Sequence, residues 1–311
     1  MSKYITIDCG TTNTRIFLID SDKVVARLDM HIGASKCAED KYTFKKILRQ
    51  EIASLILKSD HSEKDYNAII ASGMITSELG LCHIEHLNAP LGLRELHDGL
   101  VCRDVGISAI PCYFIPGIKI TNGDLEHTDF MRGEETELMG LINGADEEML
   151  YILPGSHSKH ILTKGSAITD FRTFLTGEMI GAIANSTILR DAVDLNLSGV
   201  DENFLLLGYD TARKLGIGQA LFKTRILKNV FSATRHQCYN FFMGVILESE
   251  ISALEKSEIK NITIGGKGSL RDPMKLLFDR RTDISVRTPP EEDIENCTAL
   301  GAVKIFEYSR Q

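Results

Sequence analysis

No run in these 311 residues is apolar for long enough to cross a bilayer. The opening Met-Ser-Lys-Tyr-Ile leads almost directly into a strand pattern and carries no apolar signal region. Neither a membrane span nor a secretory leader is expected, and a cytoplasmic location is. Basic blocks are missing too. The 35 Lys and Arg against 43 Asp and Glu leave a formal charge of −8 spread along the chain, so the electrostatic footprint of a nucleic-acid binder is absent. A small anionic substrate would have to be held by local cations and backbone amides. The seven cysteines are an odd number, scattered, without a Cys-x-x-Cys pair, which argues against a disulfide frame or zinc site and for free thiols in a reducing compartment. Cys82, His83 and His86 sit close together but lack a second ligand pair, and are read as loop residues. Tryptophan is absent altogether.

What remains is an ordinary globular composition, 43% hydrophobic and 25% charged, at a length that suits two domains. The chain is organised around Tyr4 to Arg15. Ile5 and Ile7 alternate with Thr6 and Asp8 at strand period. Gly10 then permits a sharp turn, and Thr11, Thr12 and Asn13 offer hydroxyls, an amide and backbone N–H groups to an anion. A carboxylate beside such a turn is costly near phosphate unless a divalent cation lies between them, so Asp8 reads as a Mg²⁺ ligand, direct or through water. An ordinary hairpin with Asp8 capping its turn is the competing reading. Thr14 to Leu18 and Val24 to Met30 follow as two more strands joined by a polar turn.

Next come an amphipathic helix over Thr43 to Lys58 and a buried strand, Ala68 to Ala71, ending at Ser72-Gly73-Met74. Gly73 and Met74 lie at the carboxyl end of a strand, where open α/β sheets bind ligands, and read as a wall of the substrate pocket. Leu79 to Gly106 reads as an irregular excursion that could carry the acceptor. After a strand at Ile110 to Ile115, Arg132-Gly133-Glu134-Glu135 opens a helix. Paired acids at a helix start suit the macrodipole, and with Arg132 they also form an acid-and-cation group that could hold a base.

The opening unit then comes round again: strand Leu150 to Leu153, polar turn Pro154 to Ser158, strand Lys159 to Thr163, a hairpin turn, and strand Ala167 to Phe174. Duplication is the better reading of that order. Helices follow at Glu178 to Leu189, Leu205 to Leu215 and Tyr239 to Leu254. A strand then delivers Gly265 and Gly266, where a flat ring such as adenine could approach the backbone, and Cys297 to Tyr308 closes the chain as a helix.

Two such units with an Asp-x-Gly-x-Thr turn resemble the actin, Hsp70 and sugar kinase superfamily. More narrowly, Ile7-Asp8-Cys9-Gly10-Thr11-Thr12-Asn13-Thr14-Arg15, Met131-Arg132-Gly133-Glu134-Glu135-Thr136, Pro154-Gly155-Ser156-His157-Ser158-Lys159 and Asp170 to Glu178 resemble the blocks of the 2-dehydro-3-deoxygalactonokinase family. The resemblance implies an α/β fold of two RNase H-like domains, residues 1–125 and 126–311, with a nucleotide cleft between them. It implies transfer of the γ-phosphoryl of ATP, with Mg²⁺, to the 6-hydroxyl of 2-dehydro-3-deoxy-D-galactonate in galactonate catabolism. A phosphohydrolase of the exopolyphosphatase type and a kinase for the gluconate-derived epimer are the alternatives. A small sugar acid and ATP are the expected partners, and a homodimer is one option for assembly. On this reading Asp8 holds the metal. Gly10, Thr11, Thr12, Asn13 and Arg15 bind phosphate from one domain, Gly155, Ser156, His157 and Ser158 from the other, and Gly265 and Gly266 flank adenine. Lys159, Arg15 and Arg172 neutralise the moving phosphoryl, Glu134 or Glu135 is the base with Asp170 its rival, and Arg132, Gly73 and Met74 contact the sugar acid. Two departures bear on pocket shape and roles: the family usually has Trp at the position of Cys9 and near His160, and the second turn opens with Pro154-Gly155 where the superfamily has an Asp.

Overall fold

The computed structural model describes residues 2–142, 147–255, 259, 261–266 and 268–308. The chain folds into two compact units, one of Met1–Glu147, Thr163–Phe171 and Pro290–Gln311, the other of Glu148–Leu162 and Arg172–Pro289. Because the chain passes between them several times, no single cut such as 125/126 divides it.

The first unit holds β1 (Lys3–Cys9), β2 (Thr14–Asp20), β3 (Lys23–Met30), β4 (Ala68–Gly73), β5 (Leu87–Asn88), β6 (Val101–Cys102), β7 (Cys112–Phe114), β8 (Ile118–Ile120) and β9 (Asp129–Met131). Its helices include α1 (Ala34–Glu39), α2 (Lys41–Leu57), α3 (Leu93–Asp98) and α4 (Glu134–Leu141). The main sheet runs β3-β2-β1-β4-β7-β6. β1 pairs antiparallel with β2 and parallel with β4, and β4 pairs parallel with β7. β3, next to β2 at one end of the sheet, alternates exposed and half-buried residues, whereas β4 is buried at every position, as expected of a strand covered on both faces. α2 starts where the Asp40 carboxylate accepts the Thr43 amide, and it buries Phe44, Leu48, Ile52, Leu55 and Ile56. The stretch expected to be irregular, Leu79 to Gly106, contains β5, α3 and β6, and β5 joins β8 and β9 in a small separate sheet.

The second sheet runs β12-β11-β10-β13-β14, built from β10 (Glu148–Leu153), β11 (Ser158–Lys164), β12 (Ala167–Phe174), β13 (Ile262–Ile264) and β14 (Val286–Arg287). Numbered in chain order within the sheet, that is 3-2-1-4-5; it matches the β3-β2-β1-β4-β7 part of the first sheet, an antiparallel three followed by two parallel neighbours, and its 1-4-5 part is again parallel. The duplication expected from sequence is present in the topology, and both sheets are RNase H-like. Over the second sheet and beside it lie α5 (Thr176–Ser186), α6 (Glu202–Leu215), α7 (Ile217–Phe231), α8 (Arg235–Leu254) and α9 (Gly268–Arg281), while α10 (Glu291–Phe306) belongs to the first unit.

Each unit clamps two helices together through glycine. A Cβ on Gly140 of α4 would lie 2.0 Å from the Cys297 carbonyl of α10, and one on Gly301 of α10 would lie 2.0 Å from the Thr136 carbonyl of α4. In the second unit a Cβ on Gly208 of α6 would likewise lie 2.0 Å from the Phe241 carbonyl, and one on Gly244 of α8 2.0 Å from the Leu205 carbonyl. Backbone thus touches backbone, and α10 fixes α4, whose first turn carries the acids of interest.

Candidate active site

β1 delivers Asp8 to the carboxyl end of the first sheet, opposite Arg15 on β2 and Ser72 on β4. Directly opposed residues share a face, so Arg15 donates to Asp8 at 3.0 Å, with Asp29 a further 3.8 Å neighbour of Arg15. Asp8 keeps a fifth of its side chain in solvent. Burial raises its proton affinity above the ordinary carboxylate range, Arg15 opposes the rise, and Glu134 adds to it. The turn itself, Gly10 to Asn13, is exposed and locally braced: Gly10 N–H donates to the Asn13 carbonyl at 2.8 Å, and the amides of Ala34 and Ser35 donate to the Gly10 and Thr11 carbonyls. Gly33 has to be glycine for this contact, since a Cβ there would fall 2.4 Å from the Gly10 carbonyl. Thr11, Thr12 and Asn13 stand outward on a fixed frame.

Two more backbones converge beside this turn. Gly73, at φ +82°, would place a Cβ 2.5 Å from the Cys9 carbonyl, and Gly133, at φ +112°, lies against the Gly73 Cα. Gly73 therefore shapes the end of β4 rather than lining an open wall, while Met74 is half-buried beside it. Gly133 opens α4 and brings Glu134, Glu135 and Glu137 to the acid end of β1. Their environments differ. Glu135 is sealed from solvent, accepts the Gly133 amide with both oxygens at 2.9 and 2.7 Å, and accepts the Thr136 hydroxyl; burial, with Glu134 adding, pushes its pKa up to about 8. It is a buckle for the helix start, and it has no free edge from which to take a substrate proton. Glu134 is half-buried and accepts the Arg132 amide at 3.1 Å. Glu137, which the sequence reading passed over, is raised to about 7 by burial and then by Asp8 and Glu134. Its spacing of three residues from Glu134 on a helix was the available signal.

Arg132, expected to contact the substrate, is engaged within the protein. Its guanidinium donates to the Thr76 carbonyl and hydroxyl at 2.8 and 2.6 Å and to the Ile84 carbonyl at 2.9 Å, and it abuts His86. That geometry ties the segment after β4 to α4. His86 in turn is pushed down to about 4 by burial and by Arg132, so it stays neutral near pH 7.

In the second unit the turn between β10 and β11 is exposed at Ser156 and His157 and half-buried at Gly155. A Cβ on Gly155 would enter open space, room that a phosphate could fill. The turn's floor is the start of α5: the Gly177 amide donates to the Gly155 and Ser156 carbonyls, the Glu178 amide to Ser156, and a Cβ on Gly177 would fall 2.6 Å from the Gly155 carbonyl. His157 meets Glu178 at 2.9 Å. Ser158 departs from its expected role, because it is the first residue of β11, fully buried, and its hydroxyl donates to Glu250 at 2.7 Å. Lys159 is buried too and donates to the His157 carbonyl at 3.2 Å, which braces the turn from behind. Asp170 is half-buried and Arg172 exposed on β12.

Gly265 is buried in the parallel ladder, donating to the Ile152 carbonyl at 2.8 Å, and Gly266 takes φ +72° with its Cα against Pro154. The positive φ and the nearby Pro154 backbone account for a glycine at 266. A cavity of about 790 Å³ lined by Tyr209, Asp210, Arg213, Glu255 and Arg281 contains none of the expected site residues. Its arginines are neutralised, Arg213 by Glu255 and Arg281 by Asp210 at 2.7 Å.

Residues 8–304 match the family model described as 2-keto-3-deoxy-galactonokinase. The chain belongs to that family. It is a sugar kinase, a phosphotransferase with an alcohol group as acceptor. Among relatives, the 2-dehydro-3-deoxygalactonokinase of Escherichia coli K12 is 24% identical over 81% of this chain and 80% of its own length. A candidate 2-dehydro-3-deoxygalactonokinase of Rhizobium meliloti is 31% identical over 61% of this chain and 59% of its own. A solved structure of a candidate 2-dehydro-3-deoxygalactonokinase from Sinorhizobium meliloti shares the fold at TM-score 0.81, 23% identity, over 98% of this chain and 99% of that one. The activator of 2-hydroxyisocaproyl-CoA dehydratase from Clostridium difficile, solved with bound ADPNP, is more distant at TM-score 0.55 and 10% identity, over 99% of this chain and 96% of that one. Among the described residues no helix is long and apolar enough to cross a membrane.

Proposed function

We propose that this kinase transfers the γ-phosphoryl of ATP to the 6-hydroxyl of 2-dehydro-3-deoxy-D-galactonate, forming 2-dehydro-3-deoxy-6-phosphogalactonate as a step of galactonate catabolism. The observation that carries the reading is the family match over residues 8–304, which spans both strand-turn-strand units. Phosphoryl transfer asks a protein mainly for positioning and charge stabilisation. Gly10, Thr11, Thr12 and Asn13 would take phosphate oxygens in the first unit, and Gly155, Ser156 and His157 in the second. Arg15 and Arg172 would offset charge on the moving group. The acceptor oxygen attacks the γ-phosphorus, the bond to the bridging oxygen breaks, ADP leaves with the electron pair, and the hydroxyl proton passes to a carboxylate. Glu134 is the carboxylate we assign, because Glu135 is sealed and Glu134 is not.

Among the described residues no group of three or more His, Cys, Asp or Glu is arranged to hold a metal ion. Asp8, partly exposed and raised in proton affinity, fits a cation that arrives with the triphosphate, touched directly or through water. Bound there, Mg²⁺ would offset phosphate charge. Release of ADP measured with a panel of 2-keto-3-deoxy acids, against water alone, tests the reading. Acceptor-dependent release greatest with the galactonate-derived acid is the expected result. Release without acceptor would make the protein a hydrolase, and preference for the gluconate-derived acid would change the substrate.

A further inference from the structure

One buried acid has no place in the reaction just described. Glu250 lies four residues before the end of α8, wholly out of solvent, on a helix otherwise packed with Phe242, Met243, Ile246, Leu247 and Ile251. A carboxylate in such a position is costly unless every oxygen is bonded. Here both are. Oε2 accepts the Ser158 hydroxyl at 2.7 Å and meets His160 Nε2 at 3.0 Å, and Oε1 accepts the Thr176 hydroxyl. His160 is itself 4% exposed and stacks obliquely on Phe174.

The three partners share one property. Ser158 and His160 are the first and third residues of β11, the strand that leaves the second turn, and Thr176 is the first residue of α5, the helix whose amides hold that turn's carbonyls. Glu250 thus pins together the two elements that set where Gly155, Ser156 and His157 stand, from beneath, without reaching the turn itself. An apolar side chain in its place would fill the same volume but would fix neither element's register.

We propose that Glu250 is the positioning residue of the second phosphate turn, acting through Ser158 and Thr176; this rests on the reading that the turn binds ATP. Glu250→Gln keeps the shape but replaces one acceptor oxygen with an NH₂ donor facing hydroxyl or imidazole partners. In the full-length protein, calorimetric titration with a non-hydrolysable ATP analogue and steady-state kinetics should show the analogue Kd and the ATP KM rising about tenfold, the loss of roughly one buried charged hydrogen bond. The acceptor KM should stay within about twofold, since no partner of Glu250 lies in the first unit. Ser158→Ala should act in the same direction, and the double variant should be no worse than Glu250→Gln alone. A folded Glu250→Gln protein with wild-type analogue affinity, or one whose acceptor and ATP KM rise together, overturns the proposal. Should Glu250→Gln not fold, wild-type affinity in both Ser158→Ala and Thr176→Ala overturns it equally. A wild-type protein that binds no analogue overturns the nucleotide reading itself, an outcome visible before any variant is made.

Discussion

Replacing Gly301 by Ala adds one methyl group at the point where α10 touches α4. Its Cβ would stand 2.0 Å from the Thr136 carbonyl oxygen and 2.8 Å from the Gly140 amide, where ordinary contact begins at 3.4 Å. Both neighbours are backbone atoms of a helix, so no side chain can swing aside. The helices must part by about 1.4 Å, the difference between those contact distances. Parting them loosens Leu138, Met139 and Leu141 of α4 against Ala299, Ala302 and Val303 of α10, all buried. Overpacking of this kind costs about 1–3 kcal/mol and sometimes more. Ala is the better helix former by about 1 kcal/mol, which offsets part of it. A net loss of about 1 kcal/mol, and up to about 2, is expected, or roughly 2–8 °C in Tm. Gly181→Ala in α5 is the matched control, because nothing lies within 4 Å of its added Cβ, and only the helix-propensity gain of up to about 1 kcal/mol should appear. Urea melts followed by circular dichroism read both. The same substitution in two helices should shift the midpoint in opposite directions, and Gly301→Ala should also lower kcat because α4 carries Glu134. Equal stability of Gly301→Ala and the wild type, or a shift of the same sign in both variants, would refute the claim that backbone contact between α4 and α10 holds the first unit together.

Gly155→Ala should leave stability within about 0.5 kcal/mol, as its Cβ meets nothing, yet raise the ATP KM by about tenfold by occupying the space beside the turn; an unchanged KM removes Gly155 from the nucleotide site. Glu134→Gln should lower kcat by about a hundredfold or more with little change in ATP KM, and Asp170→Asn much less; the reverse ranking in stopped-time ADP assays moves the base to Asp170. Glu135 supplies the pH prediction. Its folded pKa of about 8 stands above the ordinary carboxylate value, so the folded state holds its proton longer than the unfolded one. The stability it contributes is fully present below the unfolded pKa, near 4.5, and is lost as pH rises through about 8. The stability difference between Glu135→Gln and wild type should therefore move in the variant's favour between pH 5 and pH 9, read from urea midpoints; a constant difference across that range would mean that Glu135 ionises normally.

The sheets were legible because strand period and turn chemistry are local. Asp8-x-Gly10 and the repeat at Leu150 to Phe174 follow from alternation and small polar turns, and the structure returns β12 with the expected bounds, Ala167–Phe174. Helices with weak patterns were missed. α7 leaves Phe222, Val230 and Phe231 exposed, and α9 begins at a glycine and contains Pro273, so neither shows a clean apolar stripe. The placement of Arg132 and Ser158 was illegible for a different reason: a sequence shows that they are polar but not which way they face. Arg132 turns to the Thr76 and Ile84 carbonyls, and Ser158 to Glu250. Glu250 itself left a trace, since it falls four residues after Ile246 and three after Leu247 on the buried stripe of α8, where an acid needs partners.

The two units repeat a topology and a glycine-clamped helix pair, but not a charge. Counting back two residues from the turn glycine gives Asp8 before Gly10 and Leu153 before Gly155, and Leu153 is buried. An acid next to a phosphate turn is tolerable only with a cation to offset it. On the proposed reading the acid is supplied once, beside the first turn, while the other turn would work through the N–H and hydroxyl donors of Gly155, Ser156 and His157. The second unit does keep acids near its turn, but Glu178 is paired with His157 at 2.9 Å, and Glu250 sits below the floor, bonded on both oxygens inside the protein, where it can order the donors without facing a ligand. Placing Asp at position 153 would bring back the repulsion that this asymmetry avoids. Leu153→Asp should therefore weaken ATP binding more than Leu153→Asn does, and the gap between them should narrow as added salt screens the charge.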